Sequence, residues 1–131
     1  MIGIVVITHG QLAEELVRAA RTIVGEIPAA AAVSIGWGDD MAAAHAAIER
    51  TLTEVGAEGA LLLTDMFGGT PTNVALSFLA PGVEIVTGVN LPMLIKLSTH
   101  REGSLTELAR LAREQGRDSI AVASELLERT A

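Results

Sequence analysis

Ile2-Gly3-Ile4-Val5-Val6-Ile7-Thr8-His9-Gly10 is the stretch whose reading decides the fold. Residues 2–8 are apolar, rich in β-branched side chains and almost without polar alternation. That pattern belongs to a strand covered on both faces, as in parallel sheets flanked by helices. A helical pattern follows, with Leu12, Leu16, Ala19 and Ile23 as its stripe. Further short apolar runs lie at 30–35, 60–64, 83–87 and 119–123. Between them stand a second helix through Met41, Ala44, Ile48, Leu52 and Val55, a third marked by Val74, Ala75, Phe78 and Leu79, and a short one opened by Asn90-Leu91-Pro92. Ser104 and Glu107 make a capping-box signature for a helix through Leu105, Leu108, Leu111 and Ala112, with Gly116 expected past its end. Gly25 and Gly56 stand where left-handed C-caps would end the first two helices. Strand and helix alternating in this way predict an α/β fold, a doubly wound three-layer sandwich about a mostly parallel sheet.

With 131 residues, half of them apolar, the chain reads as a single domain over 1–131. The absence of cysteine removes disulfides and thiolate chemistry and fits a reducing compartment, so a cytoplasmic location is expected. The N-terminal run lacks a basic leader and a cleavage site, and no apolar stretch reaches the roughly 20 residues of a membrane span. A net charge of −7 with Lys96 as the only lysine argues against nucleic acid and anionic membrane as partners, because phosphate backbones attract clustered cations. Only Trp37, Phe67 and Phe78 are aromatic, too few for a stacking platform for bases or sugars.

Chemistry concentrates at two strand ends. His9 follows the first run and Asp65 follows the third, and in open α/β sheets the functional crevice lies outside the carboxyl ends of the strands. Histidine ordinarily titrates close to cytoplasmic pH, so a free ring nitrogen can act as a nucleophile. If the first and third strands are neighbours, Asp65 can accept a hydrogen bond from His9 Nδ1 and leave Nε2 unprotonated and aimed outwards. Taken singly, His9 reads equally as a loop histidine and Asp65 as a turn residue or N-cap. Gly68, Gly69 and Thr70 supply a third component: Thr70 suits an N-cap, Pro71 a first helical position, and the glycines let backbone N–H groups converge on an anion. A tight, capped strand-to-helix turn is the plainer reading of the same residues. There is no Walker A sequence and no G-x-G-x-x-G, so nucleotide binding has little support. Met66 and Phe67 read as core or as an exposed docking rim, and Trp37 as partial core or a border of the same edge. Asp39 and Asp40 most simply cap a helix, as does Asn90. His9, His45 and His100 have no metal-ligand spacing, so no metal and no cofactor are expected.

Three segments together resemble the mannose-type enzyme IIA domain of the bacterial sugar phosphotransferase system: Ile-Val-Val-Ile-Thr-His-Gly at 4–10, Thr-Asp-Met-Phe-Gly-Gly-Thr-Pro-Thr-Asn at 64–73, and Gly-Val-Asn-Leu-Pro-Met-Leu at 88–94. They occur in that family's order, and the resemblance runs nearly end to end. It implies four parallel strands plus an antiparallel C-terminal edge strand, here 119–123, exchanged between the subunits of a homodimer. It implies that His9 accepts a phosphoryl group on Nε2 from phospho-HPr and passes it to a IIB protein, for sugar uptake or for regulation. Asp65 would orient His9, and Thr70 would supply the hydroxyl of the phosphate-binding turn with Gly68 and Gly69. Residues 124–131 look helical, with no IIB domain after them, so the IIB partner is expected as a separate polypeptide. The chain is then not itself membrane-embedded, and any tie to a membrane IIC/IID complex would be through association.

Two other readings compete. A receiver-like signalling domain would carry its phosphate on Asp65, but it should have an acidic pair after the first strand, where Thr8-His9 stands, and a lysine after the last, whereas Lys96 falls in a helix. A phosphatase with a phosphohistidine intermediate should line its pocket with arginine. None of Arg18, Arg21 or Arg50 falls at a strand's carboxyl end.

Overall fold

The computed structural model describes residues 1–130. Four strands, β1 (Gly3–His9), β2 (Ala30–Ile35), β3 (Ala60–Thr64) and β4 (Val83–Thr87), form a sheet in the order β2-β1-β3-β4, and every adjacent pair is parallel. Winding runs outwards from β1 to β2 and, on the other side, from β3 to β4. The direction therefore switches between β1 and β3, and the carboxyl ends of these two strands are where open α/β sheets carry their functional sites. Val5, Val6, Ile7, Leu61, Leu62 and Leu63 have no exposed surface, which explains why these two runs carry no polar alternation. Each such side chain contributes about 1.5–3 kcal/mol through removal from water.

Helices cover both faces. On one, α1 (Leu12–Val24), α4 (Leu91–Thr99) and α5 (Leu105–Asp118) pack over Ile4, Val6, Leu61 and Leu63. On the other, α2 (Met41–Val55) and α3 (Gly69–Ala75) pack over Val5, Ile7, Ala60 and Leu62. Asp40 caps α2 by accepting from Ala43 N at 2.7 Å, Asn90 caps α4 by accepting from Met93 N at 3.1 Å, and Ser104 and Glu107 form the reciprocal capping box of α5.

Several local expectations shift. In α1 the buried face is Ala13, Val17 and Ala20, whereas Leu12 and Ile23 are exposed; the small alanines let the helix lie close to the sheet, and the larger apolar residues fall beside that contact. Gly56 is not left-handed: its φ is −104°, and a side chain there would bring Cβ to 2.8 Å from the Leu52 carbonyl oxygen. Gly116 lies inside α5 rather than beyond it, buried, where a Cβ would meet Met93 Cε at 2.7 Å. Close packing, not termination, is what that glycine permits.

Residues 119–122 belong to no strand of this chain, and a helix, α6 (Ala123–Thr130), follows them; Ala131 lies outside the described residues. The fifth strand expected at 119–123 is therefore absent from the sheet of the single chain. Ser119 Oγ and the backbone N–H groups of Ser119 and Ile120 are turned back onto the end of α5, and Ile120 and Val122 are exposed.

Candidate functional site

Register brings the site together. Ile7 of β1 stands opposite Thr64 of β3, so His9 and Asp65 both emerge at the switch point. One carboxylate oxygen, Asp65 Oδ2, accepts from the His9 backbone N–H at 3.0 Å and lies 2.8 Å from His9 Nδ1; the other, Oδ1, accepts from Met66 N at 3.0 Å. The two side chains are only 23% and 14% exposed, so the pair is shielded but within reach of solvent. Partial burial pushes the Asp65 carboxyl up, but hydrogen bonds from the His9 backbone and ring, and the attraction of that ring, outweigh it and hold the group below the usual carboxylate range. An ionised carboxylate can only accept, so Nδ1 carries a proton, and in the neutral form of the ring Nε2 keeps its lone pair. Nε2 makes no hydrogen bond among the described residues.

The glycine-rich turn closes on that nitrogen. Gly68 and Gly69 have φ of +86° and +82°, conformations that L side chains rarely adopt, and a Cβ on Gly69 would sit 2.8 Å from His9 Cε1 and 2.9 Å from Nε2. Glycine here is what lets the main chain approach the ring. Because both glycines turn with positive φ, α3 begins at Gly69 with Gly68 as its cap. Thr70 is therefore inside the first turn instead of capping it, and Pro71 is the third helical residue, two positions further along than expected. The Thr70 hydroxyl is half-buried and makes no hydrogen bond among the described residues.

Three buried threonines support the two loops, and the sequence reading did not single them out. Thr72 Oγ1 donates between Thr64 Oγ1, 2.8 Å away, and the Met66 carbonyl oxygen, tying the turn to the end of β3. Thr8 Oγ1 accepts from Ala13 N at 2.6 Å and lies 3.1 Å from the His9 carbonyl oxygen, tying α1 to the end of β1. All three have no exposed surface. A threonine in an apolar run is indistinguishable from an ordinary β-former until its hydroxyl partner is known, so sequence offered no cue.

An apolar rim surrounds the pair. Trp37, Phe67 and Met66 are 83%, 75% and 55% exposed, and the Trp37 indole stacks on the His9 ring with centroids 5.1 Å apart and planes at 21°. Gly36 N donates to Asp39 Oδ2 at 2.8 Å, so Asp39 closes the turn that carries Trp37 while Asp40 alone caps α2. The other two histidines lie elsewhere: His45 stacks on Phe78, and His100 ends α4, its Nδ1 2.9 Å from Thr99 Oγ1. Among the described residues no three metal-ligating side chains gather, and no helix is long and apolar enough to cross a membrane.

Comparison with known proteins agrees with this architecture. The EIIA-man family, described as "PTS system fructose IIA component", matches residues 3–112. The chain is 33% identical over 129 residues to the mannose-specific EIIAB component of Escherichia coli K12, an alignment covering 91% of this chain and 38% of that longer protein. It is 32% identical over 133 residues to the fructose-specific EIIA component of Bacillus subtilis 168, covering 98% of this chain and 91% of that one. The mannose/sorbose-specific IIA subunit of the phosphotransferase system from Enterococcus faecalis superimposes with a TM-score of 0.86 at 32% identity, over 92% of this chain and 93% of the other. The parallel sheet, the switch-point site and the match over residues 3–112 lead to one conclusion: the chain belongs to the EIIA-man family of phosphotransferase-system IIA components.

Proposed function

We propose that this chain is a phosphoryl carrier in which His9 is the acceptor. The observation that carries the reading is the 2.8 Å contact between His9 Nδ1 and Asp65 Oδ2, which commits one ring nitrogen and leaves the other as the nucleophile. The Nε2 lone pair forms an N–P bond in line as the donor's N–P bond breaks, and the departing electron pair returns to the donor's imidazole. The phosphorylated ring becomes positive, and the Nδ1–H facing the Asp65 carboxylate disperses that charge. Phosphoryl transfer runs through a loose transition state whose charge lies on the equatorial oxygens, so positioned N–H dipoles and hydroxyls are what the site must supply. Gly68, Gly69 and Thr70 are assigned that part, and the site needs no cofactor.

The donor on this reading is phospho-HPr and the acceptor a IIB component, both docking on the rim of Met66, Phe67 and Trp37. The setting is cytoplasmic, and the purpose sugar uptake or its regulation. Receiver-type chemistry at Asp65 is less well supported, since both carboxylate oxygens already accept hydrogen bonds from backbone N–H groups. A phosphatase reading lacks its arginines: Arg21 is turned to the Ala30 carbonyl oxygen and Arg18 to Glu15.

The same reading includes a homodimer with exchanged C-terminal strands. Its support is the free edge of β4, every residue of which is half-exposed, beside a groove of about 410 Å³ lined by Glu84, Val86, Thr106 and Arg110, together with the exposed Ile120 and Val122 of the tail. An apolar strand from a second copy would satisfy that edge.

The test is to incubate the chain with labelled phospho-HPr. Acid-labile, alkali-stable label that disappears in His9→Ala while the circular dichroism spectrum is kept is the expected result. Hydroxylamine-labile label, or label retained in His9→Ala, would overturn it.

A further inference from the structure

Asp65 fixes His9 at one ring nitrogen, but a single hydrogen bond leaves the imidazole able to tilt about the Nδ1···Oδ2 line. What restrains the plane is the indole of Trp37, lying nearly parallel to the ring at a centroid distance of 5.1 Å. This placement is built by the sheet and not by chance contact. His9 pairs with Ile35 across β1 and β2, and Gly10 N donates to the Ile35 carbonyl oxygen at 2.8 Å, so the chain leaving β2 starts directly beside the chain leaving β1. Two residues on, reciprocal hydrogen bonds between Gly36 and Asp39 hold Trp37 at the tip of a short turn. Gly10, with φ +56°, leaves the room the indole occupies: a Cβ there would lie 3.2 Å from Trp37 Nε1. Trp37 is nevertheless 83% exposed, so core packing does not account for it.

We propose that Trp37 is a positioning residue for phosphoryl transfer, its indole holding the plane of the His9 imidazole so that Nε2 points along the line of attack. The inference rests on the phosphoryl-carrier reading and goes beyond it, because docking alone would need only an exposed apolar surface and not a parallel stack. The stacked indole and the close approach of the Gly69 main chain to Cε1 and Nε2 leave the ring a narrow range of tilt, and misalignment of a nucleophile by a fraction of an ångström is enough to slow an in-line displacement.

The experiment compares wild type with Trp37→Phe, which keeps an aromatic face, and Trp37→Leu, which keeps apolar bulk without one. Steady-state transfer from phospho-HPr is measured beside NMR of the histidine ring protons, with the His45 ring, stacked on Phe78, as internal control. Expected for Trp37→Leu is a fall in kcat of about tenfold and a downfield move of the His9 ring protons as the ring-current shift is lost, with His45 unmoved. Trp37→Phe should keep kcat within about twofold of wild type. A rise in KM with unchanged kcat in Trp37→Leu would reduce Trp37 to a docking residue, and unmoved His9 ring protons would remove the stack itself; either overturns the inference while leaving His9 as the acceptor. A wild-type chain that takes no label on His9 overturns the carrier reading and this inference with it.

Discussion

The centre of the sheet and its β4 edge are finished to different degrees. At the centre, β1 and β3 are buried on both faces and deliver His9 and Asp65 to one switch point, where each carboxylate oxygen already has a hydrogen-bond donor. At the edge, β4 is half-exposed along its whole length, and the tail beyond α5 displays Ile120, Val122, Leu126 and Leu127 to solvent. The difference teaches that the centre of the sheet is completed by contacts within the chain, whereas β4 and the tail leave apolar side chains exposed, the surface on which the proposed second copy would act. A site at the switch point needs only the register between β1 and β3, and that register is set by core packing that no partner has to complete.

The harshest way to break the centre is Gly69→Ala. A side chain at φ +82° is strained and would meet the His9 ring at 2.8 Å, so transfer from phospho-HPr should fall at least about a hundredfold with the overall fold kept; near-normal transfer would mean that the turn does not close on the ring. Asp65→Ala removes the acceptor for Nδ1 and should slow transfer about tenfold to a hundredfold, with circular dichroism unchanged; an unchanged rate would remove its orienting role. Deleting residues 119–131 attacks the other region. Sedimentation should then show a monomer, while transfer stays within about threefold, since catalysis is local to the centre. A truncated chain that is still dimeric would sink strand exchange, and one that loses transfer would erase the distinction between the regions.

The smallest effect is that of pH. The folded Asp65 carboxyl is held below its ordinary value, so its contribution to stability is fully present above the unfolded carboxylate range and is lost as the pH falls through the depressed folded value. The stability difference between wild type and Asp65→Asn should therefore shrink on acidification below about pH 4, read from urea midpoints; a constant difference would contradict the pairing.

Legibility in the sequence followed the same division. Runs at 30–35, 60–64 and 83–87 become β2, β3 and β4 without a shift in their bounds, because strands buried or half-buried in a parallel sheet leave continuous apolar stretches between turn residues. His9 and Asp65 were legible because strand ends are marked by where the apolar run stops. The buried stripe of α1 lies one residue out of phase with its leucine pattern, since alanine buries as well as leucine when a helix must lie close. Gly116 has the look of a stop signal in the sequence, although what decides it is Met93 across the α4–α5 contact, a tertiary neighbour no local pattern encodes. Apolar 119–123 carries a strand signal that the single chain does not use, because the backbone at Ser119 and Ile120 turns back onto the end of α5 and α6 begins at Ala123. The Thr64–Thr72 strut and the stack of Trp37 on His9 are long-range contacts of the same kind.

The most direct measurement is nitrogen-15 NMR of the ring-labelled chain before and after reaction with phospho-HPr. The neutral form of the His9 ring should carry its proton on Nδ1 before reaction, and its Nε2 should show phosphorus coupling afterwards. A neutral ring protonated on Nε2, or phosphate on Nδ1 or on any other residue, would contradict the account.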